Sequence, residues 1–109
     1  QNNDALGDYG PTIILEHQIE GFTFHTLYGH LSLDSLNGKK AGDFVEKGEQ
    51  IATLGLPPIN GDYAPHLHFQ IIIDMESKIG DFPGVCSSKT LPFYLRNCPD
   101  PNLLLKIKS

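Results

Sequence analysis

The chain has 109 residues and a mass of 12.0 kDa, with 39 % hydrophobic and 19 % charged residues, which is a globular composition of single-domain size. Thirteen acidic and eight basic side chains give a formal charge of −5, which argues against a general nucleic-acid binder or an anionic-membrane binder. The apolar runs are far shorter than the ~20 residues that span a bilayer.

The N-terminal part of the chain predicts a loop followed by a β-hairpin. Residues 1–11 are polar and glycine-rich, which is typical of a loop. The β-branched and aromatic residues that follow predict strands at 12–17 and 22–28, joined by a turn at 18–21. We therefore expect a hairpin over 12–28.

The middle of the chain predicts short strands between loops. A loop over 29–42 contains an expected helical turn near 34–36. Residues 42–52 predict two short strands around a Lys-Gly turn. The clearest strand covers 66–74. Because no long helical periodicity occurs, we expect an all-β fold, mainly antiparallel.

The C-terminal segment, 75–109, is predicted to be a loop-rich extension with one helical turn around 91–97. The whole chain, 1–109, which begins without Met, is then expected to be a single domain. Its two cysteines, Cys86 and Cys98, lack the Cys-x-x-Cys spacing of a zinc site. We expect two free thiols, although a disulfide between them is the alternative.

Two histidines stand at the start of the predicted strand 66–74. Since side chains alternate across a strand, His66 and His68 share one face. Two imidazoles about 7 Å apart can reach one metal ion, or one binds the metal while the other handles a proton. A solvated polar face is the alternative. The opposite, predicted core face carries Leu67, Phe69, Ile71 and Ile73.

Three further histidines are spread over the first strands. His30 follows Gly29 at the mouth of a loop, where a surface histidine is the alternative to a functional one. His17 and His25 lie within the predicted hairpin, which favours half-buried rings bonded to backbone carbonyls. His17 has the stronger claim of these two to border a site, because it lies at a strand end.

A combination of segments carries a resemblance to a known family. They occur in order and at suitable spacing: Asp8-Tyr9-Gly10-Pro11-Thr12-Ile13-Ile14-Leu15-Glu16-His17, Tyr28-Gly29-His30-Leu31-Ser32, Gly42-Asp43-Phe44-Val45-Glu46-Lys47-Gly48-Glu49-Gln50-Ile51 and Pro65-His66-Leu67-His68-Phe69-Gln70. The set resembles the lysostaphin/LytM-type zinc metallopeptidases, which cut peptidoglycan peptides. The resemblance covers residues 8–74 and implies an antiparallel β-sandwich, the barrel-sandwich hybrid.

The resemblance assigns roles to three histidines. It implies that His68 ligates zinc, that His66 orients or deprotonates the attacking water, and that His30 stabilises the oxyanion. These roles are consistent with zinc-dependent hydrolysis. Zinc acidifies a bound water and polarises a carbonyl, while nearby imidazoles transfer protons and stabilise developing charge.

The sequence departs from this family upstream. The family's two other zinc ligands come from a His-x-x-x-Asp segment that is expected before residue 8, yet residues 1–7 contain no histidine. The chain is therefore expected to be the C-terminal part of the domain, with exposed sheet edges that favour a homo-oligomer. No spacing selects among the possible substitute ligands: Asp4, Asp8, His17, His25 and Asp62.

Two C-terminal stretches resemble a particular version of this domain. It is the one found between a kinase-like phosphotransferase domain and a class III aminotransferase domain in long bacterial proteins. The stretches are Asp81-Phe82-Pro83-Gly84-Val85 and Pro99-Asp100-Pro101-Asn102-Leu103-Leu104-Leu105.

The expected function is that of a zinc metallopeptidase-like domain, with hydrolysis of peptidoglycan peptides as the ancestral activity and a site that is incomplete in this chain. The alternative is a non-catalytic binding or scaffolding module of the same fold. A lipoyl-like carrier is disfavoured because Lys47 lacks flanking methionines. The expected partner is a peptide or peptidoglycan, with no nucleic acid and no membrane, and the compartment stays undetermined.

Overall fold

The structure is a computed structural model that describes residues 1–3, 8–76, 78, 84 and 89–101. The chain divides into two compact units. Unit 1 comprises Gln1–Ile13 and Tyr28–His68, and unit 2 comprises Ile14–Leu27 and the described residues from Phe69 onward.

Strands are the main regular elements of the described residues, which confirms the all-β prediction. The strands form two antiparallel sheets without a closed barrel in the described part of the chain. In chain order the elements are β1 (Asn2–Asn3), β2 (Gly10–Pro11), β3 (Ile13–Ile19), β4 (Phe22–Gly29), a 3-10 helix (Leu33–Leu36), β5 (His68–Ile72) and α1 (Leu91–Asn97).

A small sheet opens unit 1. Strands β1 and β2 pair antiparallel, with Asn2 opposite Pro11 and Asn3 opposite Gly10. The buried Asn3 side chain donates from Nδ2 to Thr12 Oγ1 at 2.9 Å, and Thr12 is itself almost fully buried. The segment 1–11, which was predicted to be a loop, therefore contains this two-stranded pair.

The centre of unit 1 is the extended segment that follows β4. Leu31 forms an antiparallel bridge with Leu54, and its N–H donates to Pro11 O at 3.1 Å. Ser32 N–H donates to Thr53 O at 2.8 Å. Because partners lie on both sides, Leu31 is buried at 2 % exposure. These hydrogen bonds fix the backbone directly after His30, a residue of the candidate site.

Most residues of a three-stranded sheet with the order β3-β4-β5 belong to unit 2. The predicted hairpin is confirmed, and its turn places both Glu20 and Gly21 at positive φ, 51° and 81°. That pattern matches the twist of the flanking strands. The buried apolar residues of this unit are Phe24, Leu27, Ile71 and Ile72.

Strand β5 is shorter than the predicted strand 66–74. At its C-terminal end, Ile73 and Asp74 leave the ladder because their N–H groups donate to Asn97, at 2.8 Å to the carbonyl and 2.6 Å to Oδ1. The predicted core face is only partly correct. Leu67 is 46 % exposed, whereas Ile72, on the other face, is fully buried.

The prediction of two strands within 42–52 is wrong. Local hydrogen bonds replace a ladder there: Asp43 N–H donates to Lys40 O at 3.1 Å, and Glu49 N–H donates to Glu46 O at 3.0 Å. The segment is mostly exposed, so no apolar face draws it into a sheet.

Both predicted helical turns are confirmed. The first is the 3-10 helix and the second is α1, which begins at Leu91. Pro92 lies in its first turn, where the missing N–H costs no hydrogen bond. Within the described residues, no helix is both long and apolar enough to cross a membrane. Cys86 lies outside the described residues, so the prediction for the two thiols stays a prediction.

Candidate functional site

Five rings of unit 1 lie together. His30 is the common member, with ring centroids 4.4 Å from His66, 5.7 Å from His68, 4.7 Å from Tyr63 and 6.0 Å from Tyr9. Tyr9 also lies 4.7 Å from His68, and Tyr63 lies 5.7 Å from His66. We call these five residues the ring cluster. It brings together all three histidines that the sequence singled out.

The backbone of His30 adopts a left-handed conformation, with φ of 62°. This region is uncommon for residues other than glycine and costs on the order of 1–3 kcal/mol. Two backbone hydrogen bonds hold it. His30 N–H donates to Tyr9 O at 2.6 Å, and His30 O accepts from Gly55 N–H at 2.8 Å. The chain therefore turns sharply at the end of β4 and directs the ring away from the strand.

The ring of His30 is buried, with 4 % exposure, and one nitrogen has a defined role. Nδ1 lies 2.7 Å from the backbone oxygen of Asn60. Because a carbonyl oxygen only accepts, Nδ1 carries the hydrogen and donates it. Burial lowers the pKa of His30, and the neighbouring His66 and His68 lower it further, against the opposing effects of Asn60 and Asp8. In the neutral ring the lone pair is then on Nε2.

His66 precedes β5 instead of lying on it, which corrects the predicted strand face shared with His68. Its Nδ1 lies 2.7 Å from Ala64 O and donates to it. This local bond turns the ring back toward its own loop, and the preceding Pro65 has no N–H to extend a ladder. His66 is exposed, and its neutral ring also has the lone pair on Nε2.

His68 is the first residue of β5, and a glycine makes room for it. A Cβ built on Gly29 would lie 3.3 Å from His68 Cβ and 3.2 Å from Tyr9 Cδ1. Only a residue without a side chain allows this approach without displacing one neighbour. Gly29 at the end of β4 thus permits the contact between Tyr9 and His68.

The other two histidines belong to unit 2. His17 Nε2 lies 2.7 Å from Thr26 Oγ1, and its ring stacks on Phe24 at 4.9 Å. His25 Nε2 lies 3.5 Å from a carboxylate oxygen of Glu16. These partners agree with the expected half-buried rings within the hairpin, although they are side chains and not backbone carbonyls.

The acidic substitute ligands are placed as follows. Asp8 lies in unit 1, and its Oδ1 accepts from Tyr9 N–H at 2.7 Å. Asp62 is exposed and has a positive φ of 72°. Asp4 lies outside the described residues.

The described donor set does not fit a catalytic zinc ion by itself. No group of three or more His, Cys, Asp or Glu side chains in the described part of the chain is arranged to hold a metal ion. A catalytic zinc normally has three protein ligands and a water. In addition, His30 and His66 each commit Nδ1 to a backbone carbonyl, so each ring offers only Nε2.

Sequence reasoning missed four residues that build this site. Tyr9 and Tyr63 contact the histidines, Gly29 leaves room for His68, and Asn60 accepts from His30 through its backbone oxygen. The Asn60-Gly61 pair is a turn signal in the sequence. However, nothing in that signal indicates that the turn meets a histidine thirty residues upstream.

Comparison with known proteins places the chain in a family. The sequence profile of peptidase family M23 matches residues 1–79. The chain therefore belongs to peptidase family M23, which confirms the resemblance to lysostaphin/LytM-type peptidases and the metallopeptidase-like kind of domain. No curated protein and no solved structure matches the chain.

Proposed function

We propose that this chain supplies the histidine part of a site that hydrolyses peptide bonds, with the peptides of peptidoglycan as the substrate class. The observation that carries the proposal is the convergence of His30, His66 and His68, with ring centroids 4.4 and 5.7 Å from His30. Imidazoles this close can divide proton transfer and charge stabilisation between them.

The exposed His66 is the residue best suited to activate water. Its Nδ1–H is bonded to Ala64 O, so the Nε2 lone pair is the atom that takes a proton. The proton passes from the water to Nε2 while the water oxygen forms a bond to the peptide carbonyl carbon, and the carbonyl oxygen becomes an oxyanion. Re-formation of the carbonyl then breaks the C–N bond, and the proton on Nε2 passes to the leaving nitrogen. The exposed face of Tyr63 beside His66 offers a wall against which a peptide packs.

Metal binding in this proposal depends on residues outside the described part of the chain. His68 is the proposed zinc ligand, and zinc would supply Lewis-acid polarisation of the carbonyl. The described residues do not complete a set around it. The proton-handling roles above are argued from this chain's own residues.

Digestion of purified peptidoglycan tests the proposal. The full protein is incubated with the polymer, and released peptides and new amino groups are measured by mass spectrometry and amine labelling. We expect release by the wild type, and its loss in His66→Ala and His68→Ala. Gln18→Ala, at an exposed position of β3, is the matched control and should keep the activity.

Measurement of the zinc content distinguishes the proposed metal-binding role of His68 from the proposed water-activating role of His66. Elemental analysis after competition with a chelator should show zinc in the active wild type and its loss in His68→Ala, but not in His66→Ala. Hydrolysis that persists in His68→Ala would overturn the assignment of His68, and absence of release by the wild type would overturn the hydrolase.

The donor set favours a second candidate, a module of the same fold that binds peptide or glycan without cutting it. No three-ligand group is present among the described side chains. This candidate expects co-sedimentation with peptidoglycan that His66→Ala weakens, without release of peptides. Release by the wild type would exclude it.

A further inference from the structure

Asn60 is completely buried in unit 1, and every hydrogen-bonding position of its side-chain amide is used. Nδ2 donates to Gly55 O at 3.1 Å and to Tyr63 O at 2.8 Å. Oδ1 accepts from Asp62 N–H and Tyr63 N–H, both at 3.1 Å. Two donors and two acceptor sites are the full capacity of an amide, so this side chain ties the segment 55–63 together.

The side chain stabilises an unusual backbone. Gly61 and Asp62 both have positive φ, 95° and 72°. The N–H groups of Asp62 and Tyr63 both donate to Asn60 Oδ1. Without that oxygen the turn would lose the bonds that hold two successive left-handed residues.

The same turn holds His30 at two points. The backbone oxygen of Asn60 accepts from His30 Nδ1 at 2.7 Å. Gly55, whose oxygen is bonded by the Asn60 side chain, donates its N–H to His30 O at 2.8 Å. One buried amide therefore supports both the backbone contact and the ring contact of His30.

We infer that Asn60 is a positioning residue that fixes His30 in the tautomer with hydrogen on Nδ1 and the lone pair on Nε2. In this tautomer of the neutral ring, Nε2 of His30 is a hydrogen-bond acceptor. The significance for hydrolysis rests on the proposed function, whereas the tautomer itself does not. A carbonyl partner that fixes the tautomer of a functional histidine is a general device.

The test reads the tautomer directly, by nuclear magnetic resonance of the full chain with isotope-labelled histidine. Correlations between ring nitrogens and ring carbon-bound protons distinguish Nδ1–H from Nε2–H. In the wild type at neutral pH we expect His30 to carry its proton on Nδ1. In Asn60→Ala we expect the proton to shift toward Nε2, the nitrogen that a free neutral histidine prefers.

Two further variants separate positioning from general stability. Asn60→Asp keeps the acceptor for the N–H groups of Asp62 and Tyr63 but loses both donated bonds, to Gly55 O and to Tyr63 O. It should therefore retain the fold and still release His30 from its single tautomer. Asn97→Ala removes a comparably buried amide that bonds Asp74 in unit 2. It should lower stability and leave His30 unchanged.

Three outcomes would overturn the inference. They are an Nε2–H tautomer of His30 in the wild type, an unchanged Nδ1–H tautomer in folded Asn60 variants, and unfolding of both Asn60 variants while Asn97→Ala folds, since unfolding would assign Asn60 a purely structural role. If the protein hydrolyses peptidoglycan, Asn60→Asp should lower kcat more than it raises KM. Absence of hydrolysis would remove the proposed function and leave the tautomer result intact.

Discussion

At the scale of single residues, His30 combines a buried imidazole ring with a backbone conformation better suited to glycine. Its φ is 62°, and the contacts that hold it come from Tyr9 and Gly55 on opposite sides. Such strain persists only where surrounding contacts fix it.

This strain can be measured by comparing two variants that both lack the ring. His30→Gly should be more stable than His30→Ala by about 1 kcal/mol, because a Cβ is unfavourable in the left-handed region. Urea denaturation gives the difference, and the same pair at Thr53, where no positive φ occurs, is the control. Equal stabilities of the two His30 variants would show that the backbone relaxes.

A second prediction concerns acid stability and His17. Burial lowers its pKa, as does the proximity of His25, so the folded protein binds a proton at His17 less readily than the unfolded chain. The contribution of the neutral ring is fully present above the unfolded value of about 6.5 and is lost as the pH falls from there toward the lower folded value. Stability should therefore fall on acidification.

The measurement is the urea midpoint of wild type and His17→Gln between about pH 7 and about pH 5. We expect a smaller loss in the variant, because glutamine can bond Thr26 and does not titrate. An equal loss in both proteins would remove His17 from the acid response.

Residues of the site differ in how far the sequence reveals them. His30, His66 and His68 are found because their motifs are local strings of residues. Asn60 is not, because its contact with His30 uses a backbone oxygen that any residue possesses. The residue type at position 60 matters only because the asparagine side chain stabilises the turn.

At the scale of elements, the junction between β5 and α1 depends on one asparagine. The buried Asn97 accepts from Asp74 N–H at 2.6 Å and donates to Asp74 O at 2.8 Å. These bonds end the strand where the sequence alone predicts that it continues to 74.

Asn97→Ala should therefore destabilise the protein by about 1–3 kcal/mol, since it leaves the Asp74 backbone groups unsatisfied. Asn37→Ala, at an exposed position after the 3-10 helix, should change stability little. Thermal and urea unfolding give both values. A loss in Asn97→Ala no larger than in Asn37→Ala would show that water replaces the amide.

Elements with a strong local signal were predictable, and those that depend on distant partners were not. The hairpin over 12–28 has β-branched strands and a two-residue turn, and it is present. Residues 42–52 have similar local features, but their N–H groups find acceptors within their own turns. The β1–β2 pair escaped prediction because two-residue strands leave no periodicity to recognise.

At the scale of the whole molecule, the three-stranded sheet has two edges in the order β3-β4-β5. Edge strands favour pairing with a second chain. Ile19, at the end of β3, is 59 % exposed, and Phe22, at the start of β4, is 54 % exposed. The homo-oligomer expected from the sequence stays a prediction. The exposed edge strand β3 offers a position at which it can be tested.

Sedimentation over a range of protein concentrations should show association of the wild type, and Ile19→Lys should shift the equilibrium toward monomer by placing a charge on the edge. Phe44→Lys adds the same charge at a residue that is 94 % exposed and outside the sheet. This control should leave the association equilibrium unchanged. A wild type that is monomeric at every concentration would refute the prediction.

The left-handed backbone at His30 also has a consequence for mutational drift. In a lineage that no longer needed an imidazole there, replacement by glycine or asparagine would relieve strain, so selection for stability alone would favour the loss. A histidine that is retained at this position therefore indicates that its imidazole has a function. Relatives that keep both the turn and the ring are those in which the ring is under selection, whether or not they cut peptides.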